Sequence, residues 1–123
     1  MDKEELINSI SSLIQNQIEF QKGYLDLLEE SFAFIKYQNI TRESQIERLL
    51  DEVLNMFQTE EVRELYTRIC LYYHAINREA AKDYANIYLE LYEDDSALKK
   101  IEEIEMEMKS YGKSKSLFHK RNK

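Results

Sequence analysis

The chain has 123 residues, no proline, two glycines and one cysteine, and a formal net charge of −7. This length points to one domain, and the scarcity of turn-forming residues excludes folds built on tight turns, such as β-barrels and sandwiches. The charge is divided: residues 1–111 hold all 24 acids against twelve Lys and Arg, whereas 112–123 hold five bases and no acid, so the acidic part repels phosphate backbones and leaves any nucleic-acid binding to the tail.

Apolar residues recur at spacings of three and four along the chain, the signature of amphipathic helices. In the first segment Leu6, Ile7, Ile10, Leu13, Ile14, Ile18, Tyr24, Leu25, Leu28, Phe32 and Ile35 share one broad face, which predicts a single helix over 2–38. Gly23 does not disturb its phase. Gln17 and Gln21 lie inside the stripe, either at a solvated edge or as a polar layer that sets the register of a helix–helix contact. Asn39, Thr41 and Ser44 offer capping oxygens for a shorter helix over 42–57, whose inner face is Ile46, Leu49, Leu50, Val53, Leu54 and Phe57.

Thr59 followed by Glu60, Glu61 and Glu64 is a clear start signal, because the hydroxyl caps free N–H groups and the acids meet the positive end of the helix dipole. From Val62 to Leu91 the apolar phase is unbroken, which predicts one long helix over 60–93 with a possible break near Asn77. Asp94-Asp95-Ser96 supplies a stop and a new cap. A last helix over 96–111 carries Leu98, Ile101, Ile104 and Met108, and Gly112 is placed to end it. The expected fold is all-α: an elongated four-helix bundle, long-short-long-short, comprising residues 1–111, with 112–123 as a flexible basic tail. Residues 62–95 match the length of one tetratricopeptide unit, about 34 residues. Tyr66, Ile69, Cys70, Tyr73, Ala80 and Tyr84 resemble that repeat's large and small positions. Alignment needs a shortened loop, the repeat's glycine and proline positions are missing, and one unit alone is visible, so no family is assigned.

The residues give little purchase for catalysis. Cys70 and His74 stand at a permitted metal-ligand spacing, but two ligands do not make a site. No Glu-x-x-His pair of the di-iron type is present, and a phosphate cradle needs more glycines than the chain has. The expectation is no enzyme, no cofactor and no metal. The acidic start Met1-Asp2-Lys3-Glu4-Glu5 is unlike a signal peptide, and the longest apolar run, Phe32–Ile35, is far shorter than a membrane span. A cytoplasmic protein with no membrane contact is expected.

Six of the nine tyrosines lie between Tyr66 and Tyr92. Tyrosine suits interfaces, being apolar along its body and polar at its tip. Ala81, Tyr84, Ala85, Tyr88 and Tyr92 are therefore read as a contact strip for a partner helix, and this strip and the first helix as candidate surfaces for a homodimer. In the tail, Lys113, Lys115, Phe118, Lys120 and Arg121 could grip nucleic acid or an acidic protein groove. The leading functional expectation is a non-enzymatic protein-interaction or regulatory module, of the kind used by small phage, plasmid or immunity systems. The alternatives are a nucleic-acid-associated accessory protein acting through the tail, and a bacteriocin-type immunity protein.

Overall fold

The computed structural model describes residues 2–121, with side chains described for 2–110. Five helices follow one another: α1 (Lys3–Tyr37), α2 (Glu43–Leu54), α3 (Glu60–His74), α4 (Arg78–Tyr92) and α5 (Ser96–Arg121), with no strand among the described residues. The all-α expectation holds; the four-helix count is corrected to five.

The correction falls on residues 60–93. The segment is not one helix but an antiparallel hairpin, α3 and α4, turning through Ala75–Asn77. Asn77 takes an extended backbone, and its side-chain oxygen accepts from the Ala80 N–H at 3.1 Å, capping α4. The N–H groups of Ile76 and Asn77 both donate to the Tyr73 carbonyl, at 2.9 and 2.7 Å, and close the end of α3. Asparagine competes with helical hydrogen bonding in this way wherever packing rewards a turn. The reward is aromatic. In a continuous helix Tyr66 and Tyr88 would stand about 33 Å apart; here their ring centroids are 4.8 Å apart.

The other boundaries have local causes. Thr59 caps α3, accepting from the Val62 N–H at 3.2 Å. Helix α2 stops at Leu54, three residues before the expected 57, because the Gln58 amide folds back and donates to the carbonyls of Val53, Leu54 and Met56 at 2.8–3.3 Å. These are the groups a helix end leaves without partners. Phe57 consequently leaves the apolar face and is exposed. The expected side-chain caps of α2 are absent: its N-cap is Arg42, which makes no side-chain cap bond. Asp94 receives the N–H and hydroxyl of Ser96, at 2.9 and 2.5 Å, at the start of α5. That helix runs on to Arg121 instead of ending at Tyr111, so Gly112 is not its stop; one glycine inside a helix costs only about 1 kcal/mol.

Helix α3 is the centre of the molecule and packs against α1, α2, α4 and α5. Its Val62, Leu65, Tyr66, Ile69, Cys70 and Tyr73 are buried, together with Ile46, Leu50 and Val53 of α2, Ala81, Ala85 and Tyr88 of α4, and Ala97 and Ile101 of α5. From α1 the core takes Leu25, Leu28, Phe32 and Ile35. The first half of α1 lies outside this core.

Candidate protein-interaction face

The tyrosines that suggested a partner strip serve the chain itself. Ala81, Ala85 and Tyr88 are buried and Tyr84 half-buried. The tyrosine hydroxyls of α3 and α4 are taken up internally. Tyr66 donates to the Tyr84 carbonyl (2.7 Å), Tyr84 to Asp51 (3.0 Å), Tyr88 to the Gln58 side chain (2.7 Å) and Tyr92 to the Leu54 carbonyl (2.7 Å). On α3, Tyr72 donates to the Ile40 carbonyl (2.6 Å) and Tyr73 to Glu47. The six tyrosines form a hydrogen-bonded seam that binds α4 and α3 to α2 and to the turn after α1. This placement corrects the reading of Ala81, Tyr84, Ala85, Tyr88 and Tyr92 as a free surface: the hairpin folds them inward, and only Tyr92 keeps substantial exposure.

The remaining chemical candidates are equally occupied. Cys70 is buried, and its thiol pKa is pushed well above the usual range by that burial. His74 Nε2 lies 3.0 Å from Glu105 Oε1, and Lys82 Nζ lies 2.8 Å from the same oxygen. The hydrogen bond from Lys82, followed by that from His74, holds the Glu105 carboxyl down at about 2. This trio joins α3, α4 and α5. Among the described residues, no group of three or more His, Cys, Asp and Glu side chains converges as a metal site, and every buried side-chain polar atom has a partner. The side chains of Lys113, Lys115, Phe118, Lys120 and Arg121 lie outside the described part of the structure.

Exposed apolar side chains are scattered over the body, at Leu27, Phe34, Leu91 and Met106 among others, but their longest run is on the arm, residues 3–24 of α1. It is a helix for ordinary reasons. Asp2 caps it, accepting from the Glu5 N–H at 2.8 Å, and Glu4 and Glu5 sit at the positive end of its dipole. Its apolar residues continue the core stripe without a phase change: Ile7, Ile14, Ile18, Leu25, Leu28 and Phe32 follow one another at spacings of three, four or seven. Yet Leu6, Ile7, Ile10, Leu13, Ile14, Ile18 and Phe20 are 41–79% exposed. Residues 6–18 contain no charged side chain.

The arm is held firmly where it leaves the core. Gln21 faces the loop between α2 and α3, where its Nε2 donates to the Phe57 carbonyl and its Oε1 accepts from the Phe57 N–H, both at 2.8 Å. The amide thus completes a two-point clamp, a more specific use than either expectation for the glutamines. Further along, Arg68 pairs with both carboxylate oxygens of Glu29, at 2.5 and 3.1 Å, and joins α1 to α3. The clamp sets the exposed Phe57 beside the arm. Leu13, Ile14, Gln17, Ile18 and Phe20 line an open apolar groove of about 750 Å³ that Phe57 closes at one end. The sequence shows the apolar stripe; it gives no sign that half of it stays bare, nor that Phe57 joins it.

Comparison with known proteins returns no matching family model, no matching curated protein and no matching solved structure. No described helix is long and apolar enough to cross a membrane.

Proposed function

We propose that this chain is a non-catalytic protein-interaction module whose binding surface is the exposed face of the arm. The observation that carries the reading is the contrast in satisfaction. The core of the five helices has its apolar groups buried and its buried polar groups paired, while the arm presents six large apolar side chains to solvent on the uncharged stretch 6–18, and Phe20 just beyond it. Contiguous apolar surface of this extent marks an interaction site in a soluble protein. An amphipathic helix offered by its apolar face is a recurrent mode of recognition between proteins. Its anchors are Ile7, Ile10, Ile14 and Ile18, with Leu13 and Phe20 on the flank.

The test is site-specific photo-cross-linking in the native cell. A photoreactive residue at position 13, on the arm, is expected to form protein adducts, and one at exposed Arg78 is not. Equal labelling from both positions, or none from position 13, would overturn the reading.

A further inference from the structure

We propose that the occupant of the arm is the arm of a second copy, packed antiparallel about a two-fold axis at Ile14. The inference rests on the arm being the binding surface and names what binds there.

The first argument is the arm's symmetry. Four residues to either side of Ile14 stand Ile10 and Ile18; three to either side stand Ser11 and Gln17. A two-fold contact is self-complementary, so each residue meets the partner's residue at the mirrored position. An axis at Ile14 sets Ile10 against the partner's Ile18, Ser11 against the partner's Gln17, and Ile14 against its own copy. The isoleucines at 10, 14 and 18 thus meet isoleucines along the centre of the contact, while Leu13 and Phe20 stand against the partner's Gln15 and the partner's Asn8 on its flank. Ile7 of each copy then reaches the partner's Gln21, beside the exposed ring of the partner's Phe57. The groove that Phe57 closes receives the tip of the second arm.

Area and charge agree with this occupant. A stable interface buries about 800 Å² on each partner. Ile7, Ile10, Ile14 and Ile18, with Leu6 and Leu13 on their flank, at roughly 100 Å² apiece and with Phe57 beside them, present a surface on the order of that area. Residues 25–111 carry twenty acids against ten bases, so two bodies repel at close range. Antiparallel arms keep the bodies at opposite ends, about 33 Å apart and several Debye lengths at physiological salt. The arms overlap over residues 6–22, and the charged Glu19 and Lys22 lie at the ends of that overlap, outside the uncharged stretch 6–18. A parallel pair would set the acidic bodies side by side.

The experiment uses the full chain. Sedimentation equilibrium of the wild type is expected to show a dimer at tens of micromolar. Ile14→Glu places two carboxylates against each other on the axis and is expected to weaken dimerisation by about 100-fold or more, with the helical content of the body unchanged. Orientation is read by disulfide trapping with Ile10→Cys and Ile18→Cys chains. Cys70 is buried, so the wild type supplies the background. Oxidising a mixture of the two variants should give the mixed dimer in excess over either variant alone. Preferential self-linking of each variant would show a parallel pair and overturn the proposal, as would an Ile14→Glu chain that remains dimeric. If the wild type is monomeric at 100 µM while position 13 still cross-links a different protein, the dimer falls and the interaction reading stands. If position 13 captures nothing, both fall.

Discussion

Helix α1 has two halves with one pattern and two fates. Leu25, Leu28, Phe32 and Ile35 are 2–7% exposed, buried against α2 and α3. Ile7, Ile14 and Ile18 extend the same stripe at the same spacing and remain open to solvent. Helix formation depends on local propensity and capping, which the halves share. Burial depends on what the rest of the chain places opposite, and α2 and α3, the helices that pack on α1, have 12 and 15 residues against its 35. An amphipathic stripe thus does not record which part of it the chain itself covers.

The largest effect that would break this comparison is a difference in stability. Phe32→Ala should destabilise the fold by about 3–5 kcal/mol, because it leaves a cavity in a closed core. Ile14→Ala, measured by denaturant unfolding in the dilute monomer, should change stability by no more than about 0.5 kcal/mol. A core-sized loss at Ile14 under those conditions would mean that the arm packs on the body.

A smaller effect is expected at the turn of the α3–α4 hairpin. Asn77→Ala removes the α4 cap and should cost about 1 kcal/mol, up to about 2. Amide exchange should show the loss concentrated at the N–H of Ala80. The junction between the halves is tested by Gln21→Ala, which deletes both bonds to Phe57. It should cost roughly 1 kcal/mol or less and should raise exchange at the Phe57 amide while leaving the α3 core protected. Unchanged exchange at Phe57 would show that the clamp does not hold the arm.

The smallest effect is a pH dependence belonging to the body alone. Lys82 and then His74 hold the folded Glu105 carboxyl at about 2, against an ordinary 4.5. The unfolded chain therefore binds that proton more readily, and stability rises with pH through this window. The contribution of Glu105 is complete above about pH 4.5 and fades as pH falls toward 2. Melting curves of the wild type and Glu105→Gln should differ at pH 7 and converge at low pH. A difference that stays constant across the range would dissociate Glu105 from the Lys82–His74 contact.

Much of the fold is legible in the residues. Thr59 with its following acids starts α3, Asp94 and Ser96 start α5, and three-and-four spacing predicts helices throughout. The turn at Ala75–Asn77 is hidden because α4 resumes the apolar phase in which α3 ends. A phase-preserving break looks continuous in sequence. Two cues point to it: the capping chemistry of Asn77, and the repeat-like length of residues 62–95. The early end of α2 depends on Gln58 folding back, a contact no periodicity encodes. The candidate site is half legible. The stripe marks the first helix as a candidate, but periodicity alone also makes a surface of the tyrosine strip, because it carries no sign of the hairpin that buries it.

By itself the sequence determined that this protein is helical, where its strongest caps lie, and that residues 6–18 form an uncharged apolar stripe. These follow from local hydrogen bonding and from the period of the helix, which act over a few residues. Only the tertiary structure decided which stripe is covered. Folding α4 back onto α3 turns Tyr66, Tyr84 and Tyr88 inward, while the first half of α1 extends past the core and keeps its apolar side chains exposed. Burial is a property of pairs of distant segments, and the distance between Tyr66 and Tyr88 is settled only by the turn that brings them together.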